Sequence, residues 1–261
     1  MDFVLDVTYV YTWGDFTKAN THLSMSEQCL SSGCNDAAAN KTKGGDLSWW
    51  GDHSGGASFS FDNTKADSNG DTTHYFAYGD FYPHVKFTST KGKPRSENGI
   101  ENGFRCDSDI AFAKKGPNDG CIFNRVLPVI VFSKSNSKYG AEARHIFTAL
   151  EHPESTYPKV NGKNVPDLLN RLYDKNKRRA NHRAAVKVCK AAWGIHYSRS
   201  KTRQCDEYPF QAAVQGAASS RNFSARPIAK EQNEAGGTHL GTFYGNDRIA
   251  DGDRFRVRIV S

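Results

Sequence analysis

Nowhere does this chain hold an apolar run approaching the ~18 residues that a membrane-spanning helix needs, which excludes integral membrane classes built on helices and leads us to expect a soluble protein. Its opening, Met1-Asp2-Phe3-Val4, lacks both the basic start and the apolar centre of a secretory leader, so any leader is expected to have been removed already. CxxC pairs and a histidine-rich partner spacing are also missing, which argues against zinc as the role of the cysteines. Six cysteines are present: Cys29, Cys34, Cys106, Cys121, Cys189 and Cys205. An even number at scattered spacings fits disulfides, which belong to an oxidising compartment; buried free thiols in a cytosolic protein are the alternative. Many connectivities are open to six cysteines. Nearest-neighbour pairing is the simplest and gives Cys29–Cys34, Cys106–Cys121 and Cys189–Cys205.

What is present describes a globular protein. At 261 residues, 37% of them hydrophobic and 12% aromatic, the chain can form one large or two ordinary domains with a buried core. Phe3, Leu5, Val7, Tyr9 and Tyr11 alternate at period two and predict a strand. Residues 31–73 turn to Gly, Ser, Asn and Asp and read as loop with room for short strands. Within them Trp49-Trp50 reads as an anchor of that loop to a core, with stacking on sugars or bases as the alternative. Asp67-Ser68-Asn69-Gly70-Asp71 resembles a calcium loop but has no distal Glu to complete it, and a solvated turn is the simpler reading. Strand patterns return at residues 84–88, 103–106 and 122–132, the last interrupted by Pro128, which predicts an edge strand or a bend. Short strands, turn-rich connections and no clear helix point to a β-rich, sandwich-like domain over residues 1–138, closed by the polar run 133–138.

Beyond that run the period changes to that of helices. Ala143, Ile146, Phe147 and Leu150 fall at helical spacing, Pro166 can open a helix whose apolar face continues through Leu168, Leu169 and Leu172, and Lys175 to Trp193 reads as a helix ended by Gly194. Residues 253–259 alternate, with Phe255, Val257 and Ile259 facing a core and Arg254, Arg256 and Arg258 facing away. Charge divides the same way: residues 1–138 carry net −2, and residues 139–261 carry net +9. A basic domain attracts a polyanion without regard to its sequence, although solubility or attraction to a cell wall would give the same sign. Arg178, Arg179 and Arg183 on the 175–193 helix form a phosphate-tracking surface on this reading, or a solvated face on the plainer one.

The chemistry concentrates at Cys205-Asp206-Glu207-Tyr208-Pro209-Phe210. Two adjacent carboxylates repel, so a fold that fixes both beside apolar rings commonly offsets them with a cation. A second set of oxygen and nitrogen ligands, Glu231 to His239, opens a helix further on. Together the two clusters suggest a hydrolytic site using one metal ion.

Asp206-Glu207-Tyr208-Pro209-Phe210, Asn233 with Ala235-Gly236-Gly237, and Asp251-Gly252-Asp253, with Ala143-Arg144-His145-Ile146 and Asn181-His182-Arg183 upstream, resemble the NucA/NucB family of secreted deoxyribonucleases. The resemblance runs from about residue 142 to residue 261, and residues 1–139 resemble no family. It implies a small α+β nuclease domain over residues 139–261 with a ββα-metal site, in which a hairpin and a helix hold one divalent ion such as Mg or Mn. By the same resemblance Asp206 is the general base, and Asn233 holds the ion or orients its water. Glu207 and Glu234 are the nearest further metal-binding carboxylates, and Glu207, His239 and His145 are further candidates for the chemistry. Packed histidines are the plainer reading of His145 and His239. Arg226 joins the helix arginines as a DNA contact. Two positions depart from the family pattern: Gln232 stands where an acid commonly precedes the Asn, and Glu234 where a basic residue often follows.

The activity so implied is extracellular, metal-dependent, non-specific DNA cleavage. The alternatives are a secreted binding or adhesion protein whose nuclease-like half only holds DNA, and a delivered antibacterial toxin domain with an immunity protein as partner.

Overall fold

The structure, a computed structural model, describes residues 2–5, 20–30, 42–46, 57–60, 76–107 and 120–261. The chain is α+β and folds as two compact units, residues 1–126 and 127–261. Among the described residues no helix is long and apolar enough to cross a membrane.

In the first unit no described residue is helical. Strand β1 (Asp2–Leu5) pairs antiparallel with β4 (Ala57–Ser60). The other described strands build one antiparallel sheet: β2 (Thr21–Cys29), β3 (Lys43–Asp46), β5 (Phe76–Ser89), β6 (Gly92–Asn98), β7 (Asn102–Asp107) and β8 (Gly120–Ile122). β5 is long enough to pair with three partners, β2 along one edge and β7 and β6 in succession along the other. Cys106 and Cys121, opposite one another in β7 and β8, form a disulfide. Cys29 is disulfide-bonded; its expected partner Cys34 lies outside the described residues, as do Val7 to Tyr11, Trp49-Trp50 and the 67–71 turn.

The second unit begins earlier than the polar run suggested. Strand β9 (Val129–Ser133) lies parallel to β13 (Arg254–Val260), whose other edge takes β10 (Leu168–Asn170), so β13 is the centre of a three-stranded sheet. Residues 133–138 form the turn from β9 into the first helix, α1 (Gly140–Glu151). The apolar stretch 122–132 is split between the two units, and β9 after Pro128 is an edge strand. Leu168 and Leu169, expected on a helix, are strand residues instead: Leu169, fully buried, pairs opposite Phe255. Three leucines in five residues fit either period, and pairing with β13 decided the matter.

Helix α2 (Lys175–Trp193) has the expected limits. Asp174 caps it, its carboxylate accepting from the Asn176 and Lys177 amides at 2.8 Å each. Gly194, at φ 81°, supplies the left-handed exit. The main core joins Ile130 and Phe132 of β9, Ala143 and Ile146 of α1, and Phe255 and Val257 of β13 to Tyr208, Phe210, Leu240 and Phe243. A second core under α2 contains Ala185, Cys189, Cys205 and Phe223.

Candidate active site

Strand β11 (Arg203–Tyr208) pairs antiparallel with β12 (Ser224–Ala229), and β12 runs directly into helix α3 (Lys230–Asn246). Helix α1 packs on one face of this hairpin and α2 on the other. Adjacent strand residues point to opposite faces. The two acids of the Asp206-Glu207 pair are therefore not side by side: Asp206 turns to α1 and Glu207 to α2.

On the α1 face, His145 Nδ1 lies 2.6 Å from Asp206 Oδ2, and His145 Nε2 lies 2.7 Å from Ser224 Oγ. An ionised carboxylate can only accept, so a neutral ring donates from Nδ1 and accepts the Ser224 hydroxyl at Nε2. His145 is wholly buried. It does not line the cavity described below, and its two ring nitrogens are taken up by Asp206 and Ser224.

On the α2 face, His182 Nδ1 stands 3.6 Å from Glu207 Oε1. The Glu207 carboxylate raises the basicity of the ring. Burial pushes the Glu207 carboxyl up, and His182 offsets part of that rise. The Cys189–Cys205 disulfide ties the last turn of α2 to the residue before Asp206.

Helix α3 closes the site. Its Gly236 packs on the Glu142 carboxylate of α1 so closely that a Cβ there would overlap it, the farther oxygen, Oε1, lying 2.8 Å from the ideal Cβ position. Glu142 is buried, and its Oε2 has no hydrogen-bond partner. Burial, with Asp206 and then Glu207 nearby, holds its carboxyl well above the usual range. Gln232, at the position where the family carries an acid, supports the fold instead, since its Oε1 accepts the Ala141 amide at 2.6 Å and satisfies the start of α1.

A cavity of about 360 Å³ opens between these elements, lined by Glu142, His182, Gln204, Asp206, Glu207 and Asn233 among others. Asn233 Nδ2 donates to Gln204 Oε1 at 2.8 Å, and Gln204 Nε2 donates to Glu234 Oε1 at 2.9 Å. Asp206, Glu207 and Asn233 are thus brought together as the sequence suggested. Glu234, largely exposed beside Lys230, does not line the cavity. Neither does His239, which is half-buried against the core, its ring 4.8 Å from that of Tyr139 and its Nε2 donating to the Val131 carbonyl at 2.9 Å. Arg178, Arg179 and Arg183 stand apart from the cavity on α2, and Arg226 lines a neighbouring one.

Glu142 and His182 are among the cavity residues not singled out from sequence. Glu142 left a legible signal: it precedes His145 by three and Ile146 by four, an acid on the apolar stripe of a helix. His182 sat inside a quoted string whose Asn181 proves structural, binding the Gln211 and Ala213 carbonyls.

No three His, Cys, Asp or Glu side chains of the described residues converge tightly enough to form a preassembled metal cluster. What does fit a cation is Glu142, which lines the cavity with two further carboxylates, Asp206 and Glu207, and whose Oε2 has no hydrogen-bond partner among the described residues. Mg²⁺ is commonly held by one or two carboxylates while keeping several waters, and a sparse ligand set suits it.

No curated protein and no solved structure matches the chain. The family model described as deoxyribonuclease NucA/NucB matches residues 157–258, a span that includes α2, the β11–β12 hairpin, α3 and most of β13 but not α1. Over that segment the chain is similar to the NucA/NucB family of deoxyribonucleases.

Proposed function

We propose that the second unit is a metal-dependent, non-specific DNA endonuclease with Asp206 as its general base. The observation that carries the reading is the Ser224–His145–Asp206 chain. It fixes one oxygen of Asp206 from behind and leaves Oδ1 for a water in the cavity, as a positioned base requires. Glu142 and Asn233, which line the cavity, are the groups that would hold a divalent cation: among the described residues Glu142 Oε2 has no hydrogen-bond partner, and Asn233 is oriented through its Nδ2 by Gln204. Such an ion, when bound, supplies positive charge for the developing phosphoryl and leaving oxygens. Glu207 raises the basicity of His182, which lines the same cavity and can bind the phosphate when protonated. Gln204 holds Asn233 in place.

Disulfide use favours an oxidising compartment, so the enzyme acts outside the cytosol, most simply as a secreted protein. Plasmid nicking by the full chain, with and without chelator, tests the reading, together with Asp206→Asn. The variant should lose about 10²- to 10⁴-fold in turnover while keeping DNA binding. Wild-type nicking in excess EDTA removes the metal, and wild-type nicking by Asp206→Asn removes the base.

A further inference from the structure

Beside the catalytic cavity lies a second one of about 290 Å³, walled by Trp193, His196, Tyr197, Arg199, Arg203 and Arg226 together with Pro227. The two cavities share Tyr197 and Arg203 in their linings. Among the described residues no carboxylate lines the second cavity. Neither Arg199 nor Arg226 has an acidic partner among the described residues, whereas Arg203 donates from Nη2 to the Pro227 carbonyl at 3.1 Å. Arg199, Arg203 and Arg226 line one hollow whose described lining holds no acidic side chain, an arrangement that suits an anionic ligand.

The backbone that presents them is strained. Arg199, Ser200 and Lys201 are consecutive non-glycine residues at φ 41°, 56° and 71°. Each left-handed residue costs on the order of 1 kcal/mol. The turn is held by hydrogen bonds from Arg199 N to the His196 carbonyl, Arg203 N to the Ser198 carbonyl and Lys230 N to the Thr202 carbonyl, at 3.0 Å each. Strain that the surrounding structure maintains in this way commonly marks a functional position. The aromatic wall is accessible: Trp193 is 42% exposed, with Tyr157 packed across it at a ring distance of 4.9 Å and 68° between planes. The Cys189–Cys205 disulfide joins the helix that ends in Trp193 to the strand that begins with Arg203, so one covalent link fixes both walls.

From this geometry we infer that the second cavity is a nucleotide subsite, holding the nucleotide next to the scissile one. Arg199, Arg203 and Arg226 take its phosphate, and Trp193 takes its base. The inference rests on the nuclease reading above and adds a preference. A base can reach Trp193 only after leaving its stack, so single-stranded or locally opened DNA binds better than closed duplex.

The test uses the full chain carrying Asp206→Asn, in chelator, so that binding is read without cleavage. Anisotropy with a labelled single-stranded oligonucleotide and its duplex is compared among this protein and versions that add Arg199→Gln, Arg226→Gln, Trp193→Ala or Trp193→Phe. Circular dichroism confirms that each is folded. Each arginine change should raise Kd for the single strand about tenfold and lower the slope of log Kd against log salt by about 0.7. Trp193→Ala should erase the preference for single strands, and Trp193→Phe should retain most of it.

Unaltered Kd and slope in both arginine variants overturn the subsite, and so does duplex binding as tight as single-strand binding in the parent. Heparin binding that falls with Arg226→Gln while oligonucleotide binding does not would assign the cavity to a sulfated polysaccharide and overturn it equally. Failure of the nuclease reading is separately visible, as absence of nicking by the wild-type chain in Mg²⁺ or Mn²⁺.

Discussion

Replacing Gly236 by alanine separates the helix from the site it supports. At an open position in a helix, Gly→Ala gains about 1 kcal/mol from propensity. Gly241 in α3 is such a position, exposed and with nothing within 4 Å of a Cβ. At Gly236 the same gain meets the Glu142 carboxylate. Its farther oxygen lies at 2.8 Å from the new carbon, and ordinary contact begins near 3.4 Å, so the whole carboxylate has to swing away from α3. Overpacking of this kind costs about 1–3 kcal/mol. The net change for Gly236→Ala therefore runs from near neutral to about 2 kcal/mol destabilising. Gly241→Ala should instead raise Tm by about 2–4 °C. The functional difference should be larger than the stability difference. With Glu142 displaced from the cavity, Gly236→Ala should nick plasmid at least about tenfold more slowly and need more metal to reach half its rate, a loss equivalent to ~1.4 kcal/mol of transition-state stabilisation. Denaturant unfolding, a nicking time course and a Mg²⁺ titration on both variants provide the comparison. A Gly236→Ala protein that gains stability as Gly241→Ala does and cleaves at the wild-type rate would refute the reasoning.

Three further outcomes are expected. Removing the Cys189–Cys205 disulfide by paired alanine substitution opens a loop with sequence separation 16 and should cost about 3 kcal/mol in denaturant unfolding; an unaltered midpoint would count against the clamp. In the first unit, buried Glu27 has no hydrogen-bond partner for either oxygen, and burial pushes its carboxyl from 4.5 up to about 7. The folded state thus holds this proton more tightly than the unfolded state. Stability is fully present below about pH 4.5 and is lost as pH rises through about 7, so Glu27→Gln should flatten that decline in a series of melting curves, and parallel curves would reject it. His239→Phe keeps a ring against Tyr139 but strands the Val131 carbonyl, which should cost about 1–3 kcal/mol with little change in turnover per folded molecule; lost turnover at unaltered Tm would return His239 to the chemistry.

The legible parts of this protein were those in which one period acts over many residues. Helix α2, bounded by Asp174 and Gly194, and the alternating strand β13 both read correctly, because capping and alternation are local signals. Leu168 and Leu169 misled because a three-residue strand is defined by its partner, and Phe255 lies more than eighty residues away. The same distance hid the site. Asp206, Glu207 and Asn233 were visible as residue types, yet Glu142 and His182 enter only through the packing of α1 and α2 on the hairpin. The pairing of Asp206 with His145 spans 61 residues, and sequence had left that histidine between catalysis and packing. It packs behind Asp206, the proposed base, with both ring nitrogens taken up.

The order of strands in the second unit has a consequence for how the protein is made. β13 is the central strand of its sheet but follows β9 and β10 in the chain. While a ribosome delivers residues at about 5–20 per second, the earlier two strands wait without the neighbour that joins them. Phe255 and Val257 are likewise missing from the core until then. The three-stranded sheet can therefore be completed only once β13 has been made. A partial chain has Asp206 and Asn233 but no finished scaffold to aim them.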